Sequence, residues 1–318
     1  MVEVNPNGEG LPPAPGSVQV AARRVRTVVA ALLAAAAVGA VAGCGGGAPT
    51  LSPPLPAGPP TPTSGVPTPA HTVVLVLENK DNSQILGSPA APYLNALAGR
   101  AALFTDSHAV AHPSEPNYLA LFAGDTFGLT SDYCPVTLTG PNLAGLLAAS
   151  GHSFAGFSED LPAPGYTGCT SAGYARKHDP WANFPDLPAA VAQPFTAFGP
   201  DYTRLPTVSF VIPNLCHDMH DCDVATGDTW LRDHLDSYLR WAKSHNSLLI
   251  ITWDEDDAGS TDNHITTMFA GQMVKPGRYD ERIDHYSVLR TIEDAYLLPH
   301  AGHSQTATSI TDIWQPTP

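Results

Sequence analysis

The chain has 318 residues, of which 43% are hydrophobic and 14% are charged. A chain of this length and composition can bury a core, which excludes an intrinsically disordered acidic polymer. Thirty acidic residues against 15 basic ones give a formal charge of −15. This charge argues against nucleic acid or an anionic membrane surface as a partner, because both favour clustered lysine and arginine. It still allows a phosphate ester as the substrate, if a metal ion supplies the positive charge at the site.

Residues 1–44 have the pattern of a secretory signal. Arg23, Arg24 and Arg26 precede an apolar run over 28–42, which is shorter than the roughly 20 residues of a membrane-spanning helix. The run ends in Val-Ala-Gly-Cys, which resembles the lipobox of bacterial lipoproteins. We predict an exported protein anchored through a lipid on Cys44 to the outer face of the cytoplasmic membrane or cell envelope. The alternative is ordinary signal cleavage and secretion.

Residues 45–70 form a predicted tether. They include nine prolines and five glycines, a composition that cannot form a packed core and is typical of an extended linker. The folded domain is therefore placed at residues 71–318.

This domain alternates predicted strands and helices. Thr72–Leu77 is apolar and β-branched without alternation, which is typical of a strand buried on both faces of a parallel sheet. Similar runs occur at 153–157, 207–212 and 248–253. Helical spacing of apolar residues is found between and after them, at 92–100, 116–123, 142–150, 228–245 and 287–297. The alternation predicts one three-layer α/β domain with a mostly parallel central sheet, and ligands beyond the carboxyl ends of its strands.

Four cysteines lie in this domain: Cys134, Cys169, Cys216 and Cys222. An even number in an exported chain favours two disulfides, and the simplest of the three pairings joins Cys134 to Cys169 and Cys216 to Cys222. The alternative is a thiolate metal site, which the lack of any Cys-x-x-Cys spacing disfavours.

Polar residues follow two of the predicted strands. Glu78 and Asn79 come directly after the first strand, and Asp254 and Glu255 directly after the fourth. Their oxygens are ligands for a hard divalent cation, whose identity the sequence leaves open. Ser114 lies just before a predicted helix, where helix amides can stabilise an anion and a metal ion can help the hydroxyl to lose its proton. We therefore predict a metal-assisted serine nucleophile.

Each of these features also has a simpler interpretation. Ser114 can be a helix cap, and the acidic run 254–257 can be a solvated loop. Glu78 is harder to explain in that way, because a carboxylate after a buried strand is unfavourable without a partner. The combination favours a functional site.

The chain has 13 histidines. His217 and His220 lie between Cys216 and Cys222, and their rings can bind phosphate oxygens, protonate a leaving alkoxide or hold a second metal ion. His264 and His285 also lie in polar stretches. Others are interpreted as surface or capping residues, namely His71, His152, His178, His234, His245, His300 and His303.

Five motifs follow one another along the domain: Val74–Lys80, Ala91–Asn95, His112–Tyr118, Thr252–Glu255 and His285–Glu293. Together they resemble the phosphoesterase family of bacterial phospholipases C and acid phosphatases, which belongs to the alkaline-phosphatase-like superfamily. The resemblance extends over nearly all of residues 72–314.

The resemblance implies a metal-dependent hydrolase in which a serine attacks phosphorus and the covalent phosphoenzyme is then hydrolysed. Carried over by position, Ser114 is the nucleophile, and His220 is the phosphate-contacting histidine that we expect to assist the leaving group. The implied metal ligands are Glu78, Asn79, Ser114, Asp254 and Glu255. Substrate binding is assigned to Asn79, Asn117, His217, His264 and His285.

The chain differs from the phospholipases C of this family after Asp254-Glu255. They usually continue with His-Gly-Gly, whereas this chain continues with Asp256-Asp257-Ala258-Gly259. The difference favours a phosphomonoesterase of the acid phosphatase type acting on a small phosphate ester, with phospholipase C or phosphodiesterase activity as alternatives. A sulfatase is disfavoured because no arginine follows Ser114 in a C/S-x-P-x-R pattern. The alternative outside enzymes is a surface lipoprotein that binds a phosphorylated ligand.

Overall fold

The computed structural model describes residues 65–258 and 261–315. The predicted signal, the lipidation site Cys44 and most of the predicted tether lie outside these ranges, and their assignments remain predictions. Within the described ranges, no helix combines the length and the apolar character needed to span a bilayer.

Strands and helices alternate along the described residues. The strands are β1 (His71–Leu77), β2 (Ala102–His108), β3 (Phe154–Ser158), β4 (Thr170–Ser171), β5 (Tyr174–Ala175), β6 (Ala192–Pro194), β7 (Val208–Ile212), β8 (Ser247–Trp253), β9 (His264–Gly271) and β10 (Gly277–Asp284). The α-helices are α1 (Asn82–Ile85), α2 (Pro92–Ala98), α3 (Ser114–Ala123), α4 (Leu143–Ala149), α5 (Val224–Ala242) and α6 (His285–Ala295). Short 3-10 helices occur at Arg176–His178, Pro180–Asn183, Ala189–Val191, Phe195–Ala197, Tyr202–Arg204 and Gly302–Gln305.

Eight strands form one sheet in the order β10-β2-β9-β8-β1-β7-β3-β6. Neighbouring strands are parallel except around β9, which runs antiparallel to both β2 and β8. The four strands predicted from the sequence are β1, β3, β7 and β8, and they are consecutive at the centre of this sheet. The predicted mostly parallel sheet is therefore confirmed.

Three strands that were not predicted, β9, β2 and β10, lie on one side of this centre, and the short strand β6 lies on the other. The edge strand β10 has the sequence GRYDERID and is largely exposed, so it lacks the apolar run of a buried strand. Charged side chains on an edge strand hinder pairing with another chain. In β9 and β2 the buried hydroxyls of Thr267 and Ser107 hydrogen bond each other. Polar residues interrupt these strands, so they lack the continuous apolar run from which the other strands were predicted.

Helices cover both faces of the sheet. In β1, alternate side chains enter two different hydrophobic clusters, with Val74 and Val76 in one and Leu75 and Leu77 in the other. Helices α3 and α6 contribute to the first cluster, and α2 and α5 contribute to the second. Burying apolar side chains on both faces of a sheet is the main stabilising term of such a domain. The predicted three-layer architecture is confirmed.

The packed region begins before the predicted boundary at residue 71. Val66 is buried in the core, and Thr68 Oγ1 donates a hydrogen bond to the carbonyl of Ala295 at 2.8 Å. The last residues of the predicted tether are thus packed against the domain and contribute Val66 to its core.

Both predicted disulfides are confirmed. Cys134 pairs with Cys169 and Cys216 pairs with Cys222. The second bridge closes a loop of a few residues that packs against the end of β1, where the amide of Glu78 donates to the carbonyl of Asp218 at 2.8 Å.

Candidate active site

Ser114 is the first residue of α3, and its hydroxyl does not cap the helix. Instead, Ser114 Oγ lies 3.1 Å from Glu78 Oε2 and 3.2 Å from Glu255 Oε1. The serine is buried at 1% exposure. A hydroxyl has one proton, so it donates to one carboxylate at a time. The capping interpretation is therefore not supported, and the serine faces the predicted acidic residues.

The two acidic strand ends meet because β1 and β8 are neighbouring parallel strands in register. Leu77 pairs with Trp253, which sets Glu78 beside Asp254. The amide of Asn79 donates to Asp254 Oδ1 at 3.1 Å. Asn79 has a φ of 51°, in the left-handed region that asparagine tolerates better than most residues. The structure thus brings Glu78, Asn79, Ser114, Asp254 and Glu255 together.

The carboxylates are buried close together, so the ionisation of one makes the ionisation of its neighbours less favourable. Burial alone would raise the pKa of Glu78, but His178 and Tyr118 outweigh it and lower that pKa to about 2. Burial raises the pKa of Asp254 well above its usual value, and the charges of Glu78 and Glu255 raise it further. Burial and Glu78 also raise the pKa of Glu255 to about 7, against the opposing effect of His112.

A divalent cation fits this oxygen-rich group. Asp254 Oδ2 is buried and accepts no hydrogen bond from the residues that the structure describes. A bound cation would favour the ionised form of every carboxylate in the cluster. The donor set of carboxylates, amide and hydroxyl is the type preferred by hard divalent ions.

His178 is part of the site, and its interpretation as a surface or capping residue was wrong. Its side chain is buried, with Nε2 2.9 Å from Glu78 Oε1 and Nδ1 3.4 Å from Asp218 Oδ2. The ring stacks on Tyr118, whose hydroxyl donates to Glu78 Oε1 at 2.7 Å. Burial would lower the pKa of His178, but Glu78 and Asp218 outweigh it and raise that pKa to about 10.

Glu78, His178 and Asp218 form a second possible ligand group. One ligand atom from each lies within 4.8 Å of the others, and the close contact of His178 with Glu78 lacks hydrogen-bond geometry. A protonated imidazole supplies the positive charge between the two carboxylates, and a metal ion bound there would replace that proton. Glu78 thus lies between two groups, facing Ser114 with Oε2 and His178 with Oε1.

The acidic run is largely buried and not a solvated loop. Asp254, Glu255 and Asp256 are buried, and only Asp257 of this run is exposed. His112 connects two of them, because its Nδ1 hydrogen bonds Glu255 and its Nε2 lies 3.4 Å from Asp256 Oδ1. Sequence reasoning missed His112 as a contributor, although it belongs to the same motif as Ser114.

His220 lies beside His178, with the two ring centroids 5.9 Å apart. Its Nδ1 hydrogen bonds Asp221 Oδ1 at 2.7 Å, and its Nε2 lies 3.3 Å from Lys177 Nζ. Lys177 also donates to Asp132 Oδ2 at 2.9 Å. Burial lowers the pKa of Lys177, but Asp132 and Glu78 outweigh it and raise that pKa. Lys177, Asp132 and Asp218 are further residues that sequence reasoning missed, and only Asp218 had a signal, its place in the short disulfide loop.

The other predicted substrate-binding residues have structural partners. Asn117 Oδ1 accepts hydrogen bonds from the amides of Val110 and Ala111, which suits a residue that positions the loop before Ser114. His285 is buried, and its Nε2 hydrogen bonds the carbonyl of Asp254 at 2.7 Å.

His217 and His264 contact different parts of the domain. His217 Nδ1 lies 2.8 Å from Glu159 Oε2, and its ring stacks on Trp230. His264 stacks on His108, and its Nε2 lies 2.9 Å from the Asn82 amide nitrogen. Their assignment to substrate binding remains a prediction.

The geometry is suited to attack by a serine on an electrophile that carries negative charge. The hydroxyl can pass its proton to a carboxylate, the amino end of α3 favours an anion, and Lys177 supplies a cation nearby. A phosphate ester has the charge that this arrangement can stabilise.

Comparisons with known proteins identify the family of this chain and relatives that are named phosphatases. The model of the Phosphoesterase family matches residues 76–299. A phosphatidylinositol-3-phosphatase of Mycobacterium tuberculosis is 53% identical over 254 residues, which cover 79% of this chain and 85% of that protein. An acid phosphatase of Aspergillus fumigatus is 30% identical over 237 residues, which cover 68% of this chain and only 53% of the fungal protein.

A solved structure gives independent support for the fold. A protein in the alkaline phosphatase superfamily from Vibrio parahaemolyticus superposes with a TM-score of 0.56 and 15% identity, covering 78% of this chain and 72% of the other. The expected alkaline-phosphatase-like fold is therefore confirmed. The chain belongs to the Phosphoesterase family, and it is a phosphoric ester hydrolase.

Proposed function

We propose that the protein is a metal-dependent phosphomonoesterase of the acid phosphatase type that works through a phosphoserine intermediate. The observation that carries this proposal is the contact of Ser114 Oγ with both Glu78 and Glu255 at the first turn of α3. A buried serine between carboxylates, at a helix end that favours anions, supports a role in attack on phosphorus better than a role as a helix cap.

The reaction divides into two displacements. Ser114 Oγ forms a bond to phosphorus as its proton passes to a neighbouring carboxylate, and the bond between phosphorus and the ester oxygen breaks. The leaving alkoxide takes up a proton to become the alcohol. A water molecule then attacks phosphorus, the bond to Ser114 Oγ breaks, and the serine regains a proton as orthophosphate is released.

His220 is the proposed donor of the proton to the leaving group. Its Nδ1 faces a carboxylate, so that nitrogen carries the hydrogen, whereas Nε2 faces the ammonium of Lys177 and accepts from it. To act as the acid, His220 needs a proton on Nε2, and Lys177 then no longer donates to that nitrogen. The side chain of His220 is partly exposed, so solvent can supply this proton.

The metal ion would be held by Glu78, Asn79, Ser114, Asp254 and Glu255. It would lower the pKa of the serine hydroxyl and offset the charge of the carboxylates around the substrate. The buried, unbonded Asp254 Oδ2 supports this set, and the group formed by Glu78, His178 and Asp218 offers a place for a second ion.

One relative favours a particular kind of monoester. The Mycobacterium tuberculosis protein, at 53% identity, is named a phosphatidylinositol-3-phosphatase. We therefore include phosphatidylinositol 3-phosphate as a second candidate substrate. Its cleaved bond is a phosphomonoester bond, so this relative favours phosphatase chemistry over phospholipase C chemistry.

Export and anchoring at Cys44 are part of the proposal. Two disulfides favour an oxidising compartment. Mass spectrometry of the mature N-terminus tests the anchor, and an exported chain with an unmodified Cys44 would contradict it.

The central experiment compares wild-type protein with Ser114→Ala on an aryl phosphate, a bis-aryl phosphate, phosphatidylinositol 3-phosphate and phosphatidylcholine. We expect metal-stimulated hydrolysis of the monoesters, complete loss with a chelator, and loss of turnover in Ser114→Ala without loss of the folded state. Acid quenching during turnover should trap phosphate on Ser114. Preferred cleavage of phosphatidylcholine, or a Ser114→Ala variant with most of its activity, would contradict the proposal.

A further inference from the structure

Lys177 is linked to the first turn of α3 by hydrogen bonds through Asp132. Its Nζ donates to Asp132 Oδ2 at 2.9 Å, and Asp132 Oδ1 accepts the amide hydrogen bond of Glu115 at 2.9 Å. Glu115 follows Ser114 in the first turn of α3. The lysine is therefore connected through one carboxylate to the helix end that carries the serine.

The ammonium of Lys177 keeps one donor for a ligand. An ammonium has three N–H groups, and in the part of the chain that the structure describes Lys177 Nζ has two hydrogen-bond partners, Asp132 and His220. Its side chain is 21% exposed, so the remaining donor can be reached from solvent. Its charge also acts on Glu78 and Asp254, which places the cation within electrostatic range of the reacting groups.

Lys80, a second lysine near the site, has a different environment. Its Nζ donates to the carbonyls of Asn79 and Met219 at 3.0 and 2.7 Å. These contacts attach the end of β1 to the Cys216–Cys222 loop. Lys80 therefore has a structural explanation in these backbone contacts, whereas the partners of Lys177 are the side chains of Asp132 and His220.

We propose that Lys177 is a substrate-binding residue that holds a nonbridging oxygen of the substrate phosphoryl group, and that Asp132 positions it. The inference rests on the proposed phosphomonoesterase function. A cation at this place favours a dianionic monoester over a monoanionic diester, because the attraction grows with the charge of the phosphoryl group. Lys177 therefore contributes to the preference for phosphate monoesters over diesters.

The test measures inhibition by inorganic phosphate during aryl phosphate hydrolysis. Lys177→Met should raise the inhibition constant of phosphate and the KM of the aryl phosphate at least tenfold, and Lys177→Arg should restore most of the loss. Asp132→Asn should have a smaller effect in the same direction. Lys275→Met is the matched control, because Lys275 is exposed and its loss changes the net charge equally.

The outcomes separate this inference from the proposed function. If wild-type protein shows no Ser114-dependent hydrolysis of the aryl phosphate, the proposed function fails. If hydrolysis depends on Ser114 but Lys177→Met leaves both the phosphate inhibition constant and KM unchanged, the role of Lys177 is refuted and the proposed function stands. An equal loss in Lys177→Met and Lys275→Met would also refute it, because it would show an effect of net charge alone.

Discussion

Two regions of different construction meet at the carboxylate of Glu78. On one side, Glu78, Asp254 and Glu255 project from the ends of adjacent strands at the centre of the sheet. On the other side, His178 ends a short 3-10 helix, and Asp218 lies in a loop closed by a disulfide. Strand register positions the first region, whereas covalent bonds and hydrogen bonds position the second. The strand-end carboxylates are thus held rigidly by the sheet, whereas the bonds that support the loop residues can be removed separately.

The largest effect is expected at the residue that both regions share. Glu78→Gln should lower kcat/KM by about 10³-fold, because it removes a charge on which several kcal/mol of transition-state stabilisation depend. Steady-state kinetics with added metal ions will measure it. Glu115→Gln is the control, because that buried carboxylate hydrogen bonds Tyr133 and Asn183 instead of the serine. An equal loss in both variants would show that removing any buried carboxylate lowers kcat/KM, whether or not it contacts Ser114.

Removing the covalent support of the loop region should have the next largest effect. The double variant Cys216→Ser with Cys222→Ser should lose roughly 10- to 100-fold in metal affinity or activity, as is usual when residues supporting a ligand are changed. Its stability should fall by about 2 kcal/mol. Metal titration and thermal unfolding will measure both.

The second bridge provides the comparison for that double variant. Replacing Cys134 and Cys169 by serine should reduce stability more, by roughly 4 kcal/mol, because the loop that it closes is longer. It should also raise the phosphate inhibition constant, since Asp132 lies two residues before Cys134. Identical functional effects of the two bridges would contradict a division of the site into separately supported parts.

Tyr118→Phe should have a moderate effect. The Tyr118 hydroxyl donates to Glu78 Oε1 at 2.7 Å, and a hydrogen bond to a charged group contributes about 1.5–3 kcal/mol. We expect about a tenfold loss in kcat/KM and a lower Tm. Full activity in this variant would show that the strand end holds Glu78 in place without help from the neighbouring helix.

The smallest functional effect is expected from Glu293, which lies in α6 away from both regions. Burial raises its pKa to about 7, against opposing hydrogen bonds from Ser304 and Ala301. A carboxyl whose pKa is higher in the folded than in the unfolded state stabilises the fold fully below about 4.5 and loses that contribution as pH rises through 7.

Glu293→Gln should therefore remove part of the decline in stability between pH 5 and pH 8, on the order of 1–3 kcal/mol. Denaturant unfolding at several pH values will measure it. Activity at pH 5 should be unchanged. If stability depended on pH in the same way in the wild type and in Glu293→Gln, the decline would not come from Glu293.

The part of the molecule that could be predicted was the set of buried parallel strands and the residues that follow them. Apolar runs indicated the four central strands, and the rule that parallel strand ends meet at one edge brought Glu78 and Asp254 together. The loop region could not be found in this way. His178 follows a polar stretch without periodicity, and its burial depends on Tyr118 and Asp218, which are distant in sequence. The edge strand β10 was missed for a related reason, because its charged residues carry no signal of burial.

The two disulfides have a consequence for when the enzyme becomes active. A newly made chain with free thiols would contain the carboxylates of the sheet but would lack the covalent support of the loops that carry Asp132 and Asp218. Thiols stay reduced in the bacterial cytosol and oxidise outside it. For a chain that is exported as proposed, oxidation would act as a maturation step that completes the site only outside the cytosol, away from the phosphate esters of the producing cell.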